Sequence, residues 1–183
     1  MKIACFGDVH IRNLKYHKEY LQVFQQFYEI LKQEQVDAVI LLGDLCHTKT
    51  SISPEYVELA SNLLKNTADI APLYVILGNH DLSVKNLTRQ DSITPIVDSL
   101  NHPNLFLLKN SQEVKISDDI TLNCLSIVDK ETWIKTPTDL SKINIALYHG
   151  SVTGCRTDLG WEIAHGDVSI ETFKDFDFTF LGD

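Results

Sequence analysis

The chain has 183 residues, of which 44% are hydrophobic, so it can bury the core of one globular domain. No stretch approaches the roughly 18 apolar residues of a membrane span, and the four cysteines are too scattered for a zinc ribbon or a redox motif. We therefore expect a single cytoplasmic domain. The formal net charge of -9 is unlike that of most nucleic-acid-binding proteins. Bound divalent cations would reverse the local field around clustered carboxylates, however, so the net charge does not decide the substrate.

The first half of the sequence alternates strand patterns with helix patterns. Apolar runs at residues 2–6, 38–42 and 73–77 are typical of buried strands. Residues 17–35 carry apolar side chains at helical spacing, and Ser53-Pro54-Glu55 is typical of the start of a second helix. Because strand, helix and strand repeat, we expect a parallel β-α-β-α-β layer.

The second half of the sequence predicts shorter elements. In chain order they are a further helix within 86–100, strands of a hairpin-rich second sheet at 105–108, 113–116 and 120–127, a strand at 144–148, a long functional or capping loop at 151–167, a short helix at 169–174 and a strand at 176–181. We find no repeat or linker that would divide the chain.

Five of the apolar runs end in residues that can bind a metal or transfer a proton. The motifs are Gly7-Asp8-Val9-His10, Gly43-Asp44-Leu45-Cys46-His47, Gly78-Asn79-His80-Asp81, His149-Gly150 and Gly182-Asp183. The carboxyl ends of strands in an open α/β sheet border one crevice, which is the usual ligand site. In an extended segment residues two apart share a face, so we expect Asp8 and His10 to point into one cavity. The repeated context favours one shared site.

These side chains form a mixed set of oxygen and imidazole donors without a thiolate. The candidate metal ligands are Asp8, His10, Asp44, Asn79, His149 and Asp183. Such a set suits Mn, Fe or Zn better than Mg or Ca, which prefer oxygen ligands. Its size indicates two ions, with Asp44 as the bridging carboxylate and a shared water of lowered pKa placed for in-line attack on phosphorus.

Three further residues have expected roles beside this centre. His80 should stay off the metal and either protonate the leaving oxygen or stabilise charge in the transition state. Asp81 should hold the tautomer of His80. His47 is either a contact to the substrate or a simple polar loop residue, since an ordinary pKa near neutrality suits both roles.

The five motifs, in this order, resemble the calcineurin-like metallophosphoesterases, and the resemblance spans essentially the whole chain. It implies an α/β fold, a layered α-β-β-α sandwich of two facing mixed sheets flanked by helices, as one domain over residues 1–183. It also implies a dinuclear centre that hydrolyses phosphoesters. Asp8, His10 and Asp44 would hold one ion, and His80 would be the catalytic histidine. The second ion would be held by Asp44, Asn79, His149 and residue 183.

Within this superfamily, the 43–47 motif and the Asp after His80 are similar to the SbcD-type DNA repair nucleases. Protein Ser/Thr phosphatases instead carry Asp-Arg-Gly after the second motif and Glu after Asn-His, and neither is present here. The resemblance implies an exonuclease and endonuclease that acts on DNA with two divalent ions, Mn²⁺ first and Fe, Zn or Mg as alternatives. It also implies an SbcC-type coiled-coil ATPase as partner and a homodimer.

The last motif departs from the family pattern. The family ends its array with Gly-His-x-His, whereas here Asp183 stands in the first His position and the second would lie beyond the last residue. We therefore expect a domain truncated within its last metal-binding motif, without the region that binds the ATPase. Two alternatives stay open: a phosphodiesterase or phosphatase for a small molecule, and a metal-poor domain that binds without catalysis.

Overall fold

The structure is a computed structural model that describes residues 1–156 and 159–183. Its first sheet has the strand order β1-β2-β3-β4, and all neighbouring strands are parallel. The strands are β1 (Ile3–Phe6), β2 (Ala38–Leu41), β3 (Leu73–Val75) and β4 (Leu105–Leu107). Strand β2 is buried at every position because it lies inside the sheet and is covered on both faces. The expected parallel layer is confirmed.

Helices cover one face of this sheet. They are α1 (His17–Glu34), α2 (Pro54–Ile70) and α3 (Thr94–Leu100). Their apolar faces pack against the sheet in one buried cluster that includes Phe24, Leu63 and Leu41. Ser53 caps α2 as its sequence predicted, because its hydroxyl accepts a hydrogen bond from the Tyr56 N–H at 3.2 Å.

The second sheet faces the first and has the strand order β10-β7-β6-β5. Its strands are β5 (Gln112–Lys115), β6 (Ile120–Cys124), β7 (Ile143–His149) and β10 (Phe178–Gly182). Strands β5 and β6 are antiparallel, whereas β6, β7 and β10 are parallel. The space between the two sheets is filled by apolar side chains such as Ile40, Tyr74 and Leu147. The two-sheet sandwich that the resemblance implied is confirmed.

The outer face of the second sheet carries its own small core. Tyr148, Phe173 and Phe176 pack there with Leu125. This core is covered by 3₁₀ turns (Lys130–Thr132 and Ile170–Phe173) and by a two-stranded parallel sheet of β8 (Val152–Thr153) and β9 (Val168–Ser169). In the described ranges the α-helices thus lie on the first sheet, and 3₁₀ turns and loops form the layer on the second.

Some expected elements differ from the observed ones. The helix expected within 86–100 begins only at Thr94, because the Asp91 carboxylate accepts hydrogen bonds from the Ile93 and Thr94 N–H groups and fixes the start there. The strand expected at 105–108 forms β4 (Leu105–Leu107) of the first sheet, not a strand of the second. The loop expected at 151–167 contains β8, and its residues 157 and 158 lie outside the described residues. Among the described helices, none is both long and apolar enough to cross a membrane.

Candidate metal centre

The site is built where β1 and β2 end side by side. The Asp8 N–H donates to the Gly43 carbonyl at 3.1 Å, and the His10 N–H donates to the Asp44 carbonyl at 2.9 Å. Asp8, His10 and Asp44 adopt left-handed backbone conformations, with φ of 55°, 48° and 54°. The prediction that residues 8–10 form an extended segment is therefore wrong, since φ is negative in a strand. The two side chains still converge, and His10 Nε2 lies 4.0 Å from Asp8 Oδ1.

Asp44 lies at the centre of the site, with 1% of its side chain exposed. Its Oδ1 accepts a hydrogen bond from the His80 main-chain N–H at 2.8 Å, which leaves Oδ2 to face two imidazoles. Oδ2 lies 3.5 Å from His10 Nε2 and 3.4 Å from His149 Nε2. One carboxylate oxygen thus stands between a histidine that follows β1 and a histidine at the end of β7.

His149 reaches the site from the second sheet. Its Nδ1–H donates to the Leu42 carbonyl at 2.7 Å, so Nε2 points into the site. Nε2 also lies 3.2 Å from Asn79 Oδ1. Burial lowers the pKa of His149, but the Asp44 carboxylate and the Leu42 carbonyl outweigh it and raise the pKa to about 9. A proton on Nε2 is therefore held between oxygen acceptors that would equally suit a cation.

Two glycines let the loops after β2 and β3 approach each other. A Cβ at Gly78 would lie 2.1 Å from Asp44 Oδ1, and a Cβ at Gly43 would lie 2.7 Å from Gly78 N and from His149 Nδ1. Gly43 also has a φ of 89°. Because real Cβ atoms essentially never come within 3.0 Å of such atoms, no side chain fits at either position. This close backbone contact brings Asn79 and His80 next to Asp44.

Asp81 does not contact the His80 ring, so its expected role as holder of the His80 tautomer is wrong. The His80 Nδ1–H instead donates to the His47 carbonyl at 2.9 Å. The fully buried Asp81 carboxylate accepts main-chain N–H groups from Asp44 (2.8 Å), Cys46 (2.9 Å) and Gly78 (2.9 Å). Burial raises the pKa of Asp81 to about 7 against the effect of these donors. Asp81 therefore ties the loops after β2 and β3 together.

Three histidines meet beside the carboxylates. His10, His47 and His80 each offer a ring nitrogen, and these atoms lie within 4.8 Å of one another. Asp8, His10 and Asp44 form a second group that meets the same limit. The sequence left His47 undecided because its position after β2 does not show that its ring turns toward His10.

Asp183 lies beside the site through its main chain. Gly182 pairs with His149 in the register of β10 and β7, and the Asp183 N–H donates to Asp8 Oδ2 at 3.3 Å. Its carboxylate belongs to neither of the two compact donor groups found among the described residues, so its role as a ligand stays a prediction. Sequence reasoning missed Lys49, whose Nζ donates to the Asn79 carbonyl. A lysine in a polar loop gives no pattern that would have revealed this.

The residues present fit a centre for divalent ions. Asp8, His10 and Asp44 supply carboxylate and imidazole donors on one side, and on the other His149 lies beside both Asp44 and Asn79. Asp44 Oδ2, on a buried side chain, and Asn79 Oδ1 face the same nitrogen of His149, and a buried acceptor such as Asp44 Oδ2 requires a proton or a cation beside it. The donor set suits Mn, Fe or Zn. The identity of the metal and the ligand assignments stay predictions.

The model of one protein family, the calcineurin-like phosphoesterases, matches residues 1–182. The chain therefore belongs to the calcineurin-like phosphoesterase family, and the resemblance drawn from the motifs is confirmed. The fold and the site together define a metallophosphoesterase domain.

Several known proteins are similar to this chain. An uncharacterized protein of Acanthamoeba polyphaga mimivirus is 39% identical over 192 residues, which cover 97% of this chain and 14% of that protein. Exonuclease subunit 1 of Enterobacteria phage T4 is 28% identical over 111 residues, which cover 57% of this chain and 32% of that protein. A crystal structure of Pseudomonas putida nuclease MPE matches 91% of this chain and 72% of its own with 14% identity and a TM-score of 0.45. The chain thus spans at most 32% of the length of these two curated relatives.

Proposed function

We propose that this chain is the catalytic domain of a phosphodiesterase that uses two divalent ions, with Mn²⁺ as the first candidate. The observation that carries the proposal is the place of Asp44 Oδ2, 3.5 Å from His10 Nε2 and 3.4 Å from His149 Nε2. Two ions about 3.5–4 Å apart need a group between them, and a buried carboxylate oxygen flanked by two imidazoles supplies it. Asp8 and His10 would hold one ion with Asp44. Asn79 and His149 would hold the other, with Asp183 as a further ligand.

In this proposal the chain's own residues hold the ions and protonate the leaving group. When bound, the two ions would activate a water for attack on phosphorus and neutralise charge on the phosphoryl oxygens. His80 Nδ1–H donates to the His47 carbonyl, so Nε2 is the nitrogen that can exchange a proton with the substrate. Protonated at Nε2, His80 would donate its proton to the leaving oxygen, a contribution of about 10²- to 10⁴-fold in rate.

We further propose that the substrate is DNA. The side chains of Asp8 and His10 are 40% and 32% exposed, so the centre opens to the surface and a long polymer can reach it. The name of the phage relative, an exonuclease subunit, supports the same class of reaction. The similarity of the 43–47 and 78–81 motifs to SbcD-type nucleases extends the proposal to DNA repair, recombination or replication with an SbcC-type ATPase and to a homodimer.

Hydrolysis assays with Mn²⁺ test the proposal on two substrates, linear duplex DNA and bis-p-nitrophenyl phosphate. The variants are Asp44→Ala and His80→Ala, and His165→Ala is the matched control because His165 is exposed and lies between β8 and β9. We expect wild type and the control to cleave both substrates and the two site variants to cleave neither. Cleavage of the small diester alone would contradict DNA as the substrate and favour a small phosphodiester. Cleavage of neither by protein that binds Mn²⁺ would contradict catalysis.

A further inference from the structure

His10, His47 and His80 form a cluster in which every donor is an imidazole. Their ring centroids are 4.7 Å apart for His10 and His80, 5.6 Å for His10 and His47 and 6.0 Å for His47 and His80. One nitrogen from each ring lies within 4.8 Å of the others. His10 alone is shared with the carboxylate-containing group of Asp8 and Asp44. The cluster therefore differs in donor chemistry from the centre around Asp44, although the two share His10.

Two nitrogens in this cluster lack a partner. His10 Nδ1 and His47 Nδ1 are buried and make no hydrogen bond within residues 1–156 and 159–183. A buried polar atom without a hydrogen bond is destabilising, so binding of a species that engages these rings is favoured. His80 is oriented differently, since its Nδ1–H donates to the His47 carbonyl at 2.9 Å. Histidines that bind metals are commonly oriented by such a contact to their other nitrogen.

We propose that His10, His47 and His80 form a third metal site that prefers Zn²⁺ to Mn²⁺. Three imidazoles with an open fourth position are a known zinc-binding set, whereas carboxylate oxygens suit Mn²⁺ better. Zn–N bonds of about 2.0–2.1 Å in a tetrahedron place the nitrogens roughly 3.4 Å apart. Because the three nitrogens lie within 4.8 Å of one another, each pair must approach by at most about 1.4 Å. Rotation of the His10 and His47 rings can supply this movement without breaking a hydrogen bond at either Nδ1.

Zinc at this site competes with the catalytic arrangement. It draws His10 away from Asp8 and Asp44 and engages the ring of His80 that serves the leaving group. Excess zinc is therefore expected to inhibit hydrolysis, and this consequence rests on the proposed function. The binding itself does not, because it depends only on the three rings.

His47→Ala separates the third site from the centre around Asp44. The substitution removes one imidazole and keeps the main-chain carbonyl that orients His80. His165→Ala is again the matched control. Equilibrium dialysis with elemental analysis measures bound Zn²⁺ and Mn²⁺, and the visible spectrum of bound Co²⁺ reports the change in coordination. We expect His47→Ala to bind one equivalent of zinc about tenfold more weakly or worse, with Mn²⁺ affinity as in wild type.

Superimposable zinc-binding curves for wild type and His47→Ala would overturn the proposal. Equal losses of zinc and manganese affinity would overturn it too, since the site would then have no selectivity. If His47→Ala unfolds more readily than wild type in urea, His47→Gln replaces it. Its Zn²⁺ and Mn²⁺ affinities are then compared with those of wild type in the same way. None of these readouts requires hydrolysis, so failure of the proposed enzyme activity leaves the result intact.

Discussion

The Asp81 carboxylate accepts main-chain N–H groups from Asp44, Cys46 and Gly78 and is fully buried. Asp81→Ala leaves these donors without an acceptor. A buried donor without a partner costs about 1–3 kcal/mol, and removal of a buried carboxylate returns part of the total, so we expect a net loss of about 3–5 kcal/mol. This is a large share of the roughly 5–15 kcal/mol that stabilises a typical domain.

Urea unfolding followed by circular dichroism measures this loss. The assay belongs at about pH 8, above the pKa of about 7 that burial gives Asp81, so that the wild-type side chain is charged. Asp98→Ala is the matched control, because it makes the same chemical change at an exposed position of α3. We expect the control to change the free energy of unfolding by less than about 0.5 kcal/mol.

A stability of Asp81→Ala within about 1 kcal/mol of the control would refute this reasoning, since an unpaired buried donor costs at least that much. The loops after β2 and β3 would then be held by their other contacts. Loss of hydrolysis without loss of stability would also contradict the structural role assigned to Asp81. Loss of both stability and Mn²⁺ binding is the result that the geometry predicts.

Two further perturbations follow from single contacts. Gly78→Ala should abolish Mn²⁺ binding measured by calorimetry, because the new Cβ would lie 2.1 Å from Asp44 Oδ1, and wild-type affinity would contradict this. Asp91→Asn should lower the free energy of unfolding by about 2–3 kcal/mol at neutral pH, because the buried Asp91 carboxylate accepts a charge-assisted hydrogen bond from Lys109 Nζ at 2.7 Å. Burial raises the pKa of Asp91, but Lys109 and the Thr94 donors outweigh it and lower the pKa below 3.8. Its stabilisation is therefore complete above the unfolded pKa and lost as the pH falls through the lower folded pKa, so urea unfolding should show the two proteins converging in acid. Parallel stability curves across this range would contradict the assignment.

Where a residue's position in the fold depends on its own strand, the sequence was sufficient. Asp44 and His149 each follow a buried apolar run, and a strand end is the place where parallel sheets collect polar side chains. The structure brings both to one point, where Asn79 Oδ1 also lies beside His149 Nε2. The start of α2 after Ser53 could also be predicted, because a capping residue and the helix it caps are neighbours in the chain.

Where the role depends on which distant segment lies alongside, the sequence was not sufficient. A strand at 105–108 was expected in the second sheet, but residues 105–107 pair with β3 in the first, since a short apolar strand has no feature that selects its partner.

The sequence by itself determined the candidate donor residues, their order along the chain and the family. The tertiary structure alone decided that Asp81 binds main-chain N–H groups, that the His47 carbonyl orients His80, and that the His47 ring joins those of His10 and His80. The physical reason is that hydrophobic periodicity records burial one residue at a time, whereas a hydrogen bond or a ligand cluster depends on two or more chain segments meeting at distances of a few ångströms.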